Sequence, residues 1–126
     1  MQEKALIDPS TPKVVSLPEE TRYAENGIVS RTVLQTEHSR VVLFGFDAGQ
    51  KLSEHTTTQH AVIQILSGEC EFNLDGTWQT LKAGSLLYMP PNLRHAVQAN
   101  VAFSMLLTLI KPALRPPLPP VGAGVK

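Results

Sequence analysis

Between Ile28 and Ile110 the chain is a succession of short apolar or alternating runs separated by turn residues, and no stretch of helical length carries a 3.6-residue apolar stripe. That punctuation rules out helix bundles and doubly wound α/β folds. It predicts strands over Ile28 to Thr36, Val41 to Phe46, Ala61 to Leu66, Ser85 to Met89, His95 to Ala99 and Val101 to Ile110. Cys70, Phe72 and Leu74 alternate with Glu69, Glu71 and Asn73, which predicts a strand with one wet face. Asp75-Gly76 is a favoured two-residue hairpin turn, with Trp78 and Leu81 on the return strand. Val14-Val15 reads as a short edge strand and Pro18 to Tyr23 as one or two helical turns with Glu19 and Glu20 at the start. Many short strands with Gly, Pro and Asp-Gly turns give an all-β antiparallel sandwich or barrel.

Two histidines are embedded in short motifs forty residues apart. The first reads Gly49-x5-His55-x-Thr57 and closes on Gln64-Ile65-Leu66-Ser67-Gly68-Glu69; the second reads Gly84-x5-Pro90-x-Asn92-x2-His95. Taken in this order and spacing, from about Gly27 to Lys111, the chain resembles the small single-domain cupins, with an RmlC-like jelly roll or double-stranded β-helix. The resemblance implies that residues from the middle strands and a late strand meet at the mouth of a small barrel. It implies that the site there holds a divalent metal (Fe, Zn, Ni or Mn) through His55 and His95. The frame is present but its middle is degenerate. Thr57 stands where the family offers a second His, and Ala61 or Val62 stands where it offers a Glu. A hydroxyl is a poor neutral donor to a divalent ion. If the turn Thr56 to Gln59 aims His60 inward, a three-His facial set with open positions results; otherwise His60 is an exposed loop histidine. Gln64 interrupts an apolar strand, so its amide needs partners in the pocket, in water or at a subunit interface. The expected ligand pocket is therefore His55, Thr57, Gln64 and His95, and the expected metal set His55, His60 and His95.

The formal net charge is zero, from 11 basic and 11 acidic residues, and no block of like charge stands out. That excludes electrostatic binding to nucleic acid or to an anionic membrane surface. The N-terminal stretch has no apolar core, so it is not a secretion signal, and no run approaches the roughly 18 apolar residues of a spanning helix. Cys70 is the one cysteine, which fits a reducing cytoplasm, and its place in an alternating strand marks a packed, inert thiol. Trp78 and Tyr88 read as core or interface residues rather than stacking platforms, and His38 sits in a polar turn.

The expected organisation is an arm over 1–26, a barrel over 27–111 and a proline-rich tail over 112–126. The tail's Arg115-Pro116-Pro117-Leu118-Pro119-Pro120 superficially matches ligands of SH3-type grooves. Val41 to Phe46 is apolar on both faces, so its outer face needs a second sheet or a subunit to cover it, and the family resemblance also implies a homodimer. Three functions follow as expectations: a cytoplasmic cupin binding a small molecule with a divalent metal, acting as an oxygenase or isomerase-type centre; a metal-free, non-catalytic ligand-binding or sensor cupin; and an interaction protein working through its tail.

Overall fold

The structure is a computed structural model that describes residues 4–113. The proline-rich motif expected beyond position 113 lies outside the described residues. A four-residue helix α1 (Leu17–Glu20) precedes nine strands: β1 (Ile28–Gln35), β2 (Ser39–Phe46), β3 (Lys51–His55), β4 (His60–Ser67), β5 (Glu69–Leu74), β6 (Thr77–Lys82), β7 (Leu86–Met89), β8 (His95–Gln98) and β9 (Phe103–Ile110). They form two facing antiparallel sheets, ordered β1-β2-β9-β4-β7 and β3-β8-β5-β6. This is an all-β antiparallel barrel, as the strand pattern predicts, with the jelly-roll topology that the family resemblance implies. No helix among the described residues is long and apolar enough to cross a membrane.

The alternation of each strand decides what fills the space between the sheets. Phe46 and Phe103, both fully buried, come from neighbouring strands β2 and β9 and stack with ring centroids 4.6 Å apart. Ile63, Ile65, Phe72, Met89, Val97 and Met105 belong to the same cluster. Each such side chain contributes about 1.5–3 kcal/mol relative to exposure. The β5–β6 hairpin turns at Asp75 and Gly76 with φ of 52° and 99°, the pair of left-handed residues that a two-residue turn of this type demands.

The outer face of β2 is covered within the chain. Leu43 is 1% exposed, and a Cβ on Gly45 would collide with the carbonyl of Arg22. The segment around α1 thus lies on β2, and Arg31 of β1 pins it through a 2.7 Å ion pair with Glu20. The cover that the apolar run calls for is thus supplied here by the chain's own segment around α1 rather than by a second sheet. The edge of β1 is not closed by Val14-Val15, which form no strand; Val14 is 96% exposed. Instead the backbone amides of Leu6 and Ile7 donate to the carbonyls of Thr32 and Val33. Those bonds satisfy carbonyls that a bare sheet edge would leave open.

Candidate functional site

His55 closes β3 and His95 opens β8, and the two are direct cross-strand partners. Strict alternation would not bring them together. Leu52 pairs with Val97 and His55 with His95, so three steps along β3 match two along β8. One extra residue therefore bulges out of β3 at Ser53 or Glu54. A bulge of this kind reverses the phase of alternation. It leaves Glu54 outside, 3.7 Å from Arg94, and turns His55 inward on the same row as Leu52. The rings of His55 and His95 lie with centroids 4.3 Å apart and planes tilted by 58°.

Each imidazole is held by a backbone carbonyl two residues before it. Nδ1 of His55 is 2.8 Å from the Ser53 carbonyl, and Nδ1 of His95 is 2.9 Å from the Leu93 carbonyl. A carbonyl oxygen only accepts, so both Nδ1 atoms carry the proton. In the neutral rings Nε2 is then a lone-pair acceptor. No buried side-chain nitrogen or oxygen among the described residues lacks a partner, so the free Nε2 of the buried His95 is open to the cavity rather than sealed in protein. Burial of the ring is the main force lowering the His95 pKa below the ordinary imidazole value. The Leu93 bond opposes that shift and the neighbouring His55 adds to it. His95 is accordingly neutral at neutral pH.

The two histidines and Thr57 are the polar members of a cavity of about 160 Å³ walled by apolar side chains, among them Phe44, Leu52, Phe72, Met89 and Leu107. Alternation within β9 is the sequence signal that places Met105, Leu107 and Leu109 in this wall. The mouth is braced by the amide of Asn92, which donates to the Thr57 carbonyl at 2.7 Å and ties the β3–β4 loop to the β7–β8 loop. Asn92 adopts a left-handed φ of 70° just after Pro90 and Pro91. The Thr57 hydroxyl accepts the amide of Gln59 at 3.2 Å, which leaves its own proton free to donate. Arg94 stays on the rim, 2.9 Å from Asp75.

Two residues expected at the site are elsewhere. Ala61, Ile63 and Ile65 of β4 point into the barrel, so His60 and Gln64, one residue out of phase, face outward. His60 bonds the Tyr88 hydroxyl of β7 through Nδ1 at 2.8 Å, and Gln64 is exposed. The turn Thr56 to Gln59 does not aim His60 at the His55–His95 pair. Among the described residues no three of His, Cys, Asp and Glu are grouped to hold a metal ion. Tyr88 and Trp78 are about half exposed, so neither belongs to the core.

A jelly-roll barrel with paired histidines at its mouth defines the class. Residues 42–109 match the family described as the Cupin domain, and the chain belongs to that family. A conserved protein of unknown function from Streptococcus pyogenes is 31% identical, with a TM-score of 0.76 over 89% of this chain and 96% of that one. An RmlC-like cupin from Desulfovibrio desulfuricans is 29% identical, with a TM-score of 0.72 over 79% of this chain and 97% of that one. A cupin superfamily protein from Desulfitobacterium hafniense, 24% identical with a TM-score of 0.75 over 81% of this chain and 94% of that one, shares the fold. Comparison with curated proteins gives no match.

Proposed function

We propose that this chain is a single-domain cupin that binds a small molecule inside the barrel through His55, His95 and Thr57, without depending on a resident metal. The observation that carries this reading is the placement of His60. With that ring on the outer face beside Tyr88, the cavity offers two imidazole nitrogens and one neutral hydroxyl. Structural and catalytic sites for divalent ions use three or four nitrogen, sulfur or carboxylate donors. A pair of imidazoles does not fit a firmly held ion. The apolar wall with a few convergent polar groups fits a small organic ligand instead.

Elemental analysis of untagged protein tests the choice. After dialysis against a chelator, metal should fall well below one equivalent per chain, with the thermal midpoint unchanged. One full equivalent surviving that dialysis would overturn the metal-free reading in favour of a resident metal. Cys70 is buried and forms no disulfide, which is compatible with a cytoplasmic location.

A further inference from the structure

We infer that the cavity selects small apolar molecules carrying a hydrogen-bond-donating head, a hydroxyl or an amine, over carboxylates, because both Nδ1–H groups are committed to backbone carbonyls and the pair offers acceptors to the ligand. This inference rests on the small-molecule reading above and adds the chemistry of the ligand. Nδ1 of His55 and of His95 donate to the carbonyls of Ser53 and Leu93, so neither ring can turn its N–H to the cavity without breaking a bond of 2.8–2.9 Å. Against these two acceptors stands one donor, the Thr57 hydroxyl. Arg94 and Glu54, which flank the two histidines in sequence, are exposed, and Arg94 is paired with Asp75 at 2.9 Å and with Glu54 at 3.7 Å. Of the polar groups in the cavity only the Thr57 hydroxyl can donate to a carboxylate, whose oxygens would otherwise meet lone pairs. A ligand hydroxyl or amine donates to Nε2 and turns the same lone pairs into partners. The volume of about 160 Å³ sets the size of the body. A dry apolar cavity of about 150 Å³ admits benzene, so a one-ring molecule matches.

The test uses the full chain at pH 8, above the ordinary imidazole range, with a chelator present throughout. Toluene, benzyl alcohol and benzoate are titrated separately while the backbone amides of Leu52, Phe72 and Val97 are followed by heteronuclear NMR. Benzyl alcohol should bind about tenfold or more tightly than benzoate, and more tightly than toluene. In His55→Phe the advantage of benzyl alcohol over toluene should shrink several-fold while toluene binding persists. Long-range proton–nitrogen spectra of the free protein should show Nδ1–H in both rings. Benzoate binding as well as benzyl alcohol, an advantage untouched in His55→Phe and in His95→Phe alike, or an Nε2–H tautomer in either ring would overturn the inference and leave the small-molecule reading standing. Toluene, benzyl alcohol and benzoate all leaving the lining amides unmoved would sink the small-molecule reading itself.

Discussion

The thiol of Cys70 and the imidazole of His95 face the same interior and respond to it in opposite directions. Burial, reinforced by Glu71 and Glu69, pushes the Cys70 thiol up to about 12. At pH 8 its thiolate fraction in the folded chain is then on the order of 10⁻⁴, against roughly a quarter for a free cysteine near 8.5. Alkylation of the native protein should run about a thousandfold slower than that of the unfolded chain, and an equally fast reaction in both states would contradict the packing. For His95 burial disfavours the charged form, so its folded pKa is lowered. The unfolded chain, titrating near 6.5, binds a proton that the folded chain refuses. The contribution of His95 to stability is therefore complete above that value, declines as pH falls through it, and levels off once the folded ring is also protonated. Denaturation midpoints measured from pH 8 to pH 5 should decline more steeply for the native sequence than for His95→Gln. Parallel curves would show that the ring is better solvated than its burial implies.

At the scale of the strand, the position of His55 depends on β3 being irregular. Lys51-Leu52-Ser53-Glu54-His55 contains no Gly, Pro or Asn to announce a bulge, so alternation read from Leu52 places Glu54 inside and His55 outside. The motif match singles out His55 where the alternation rule would reject it. In β4 the opposite holds. Ala61 to Leu66 is apolar at every position but Gln64, so Gln64 alone marks the wet phase of the strand, and His60 shares that phase. Taken as a phase marker, Gln64 places both residues outside; taken singly as a buried amide, it leaves the pocket open as a destination. The hairpin at Asp75-Gly76 was legible because its chemistry is local, whereas the cover over Gly45 was not, because it depends on a segment more than twenty residues away. The bulge makes a direct comparison possible. Glu54→Ala removes an exposed ion pair at 3.7 Å and should change unfolding free energy by less than about 1 kcal/mol, measured with denaturant. A loss of several kcal/mol would mean that Glu54, not His55, occupies the inner row.

For the whole molecule, the covered outer face of β2 moves the question of a partner to the other half of the same sheet. Beyond the α1 segment, which lies beside Leu66 and Ser104, the outward residues are Leu106, Thr108 and Ile110 of β9, His60, Val62 and Gln64 of β4, and Leu86 and Tyr88 of β7. None is Lys, Arg, Asp or Glu. Solvated faces of small proteins are normally rich in those four, so an uncharged face that exposes Leu86 and Ile110 among neutral polar residues has the character of an interaction surface. Leu86 is 66% exposed and Tyr88 52%, and both sit on β7, the last strand of its sheet in this chain. An uncharged face presents no like charges to itself, so a second copy can meet it across a two-fold axis without a matching partner of opposite sign. We propose that this face, rather than β2, is where a homodimer forms. Sedimentation at micromolar concentration should then give about twice 13.8 kDa. Leu86→Lys places two ammonium groups across the symmetric contact and should return the protein to the monomer mass. Because that side chain lies mostly in solvent in the single chain, the circular dichroism spectrum of the variant should match that of the parent. A parent protein that sediments as a monomer would refute the dimer, and a dimer untouched by Leu86→Lys would move its interface to another face of the barrel.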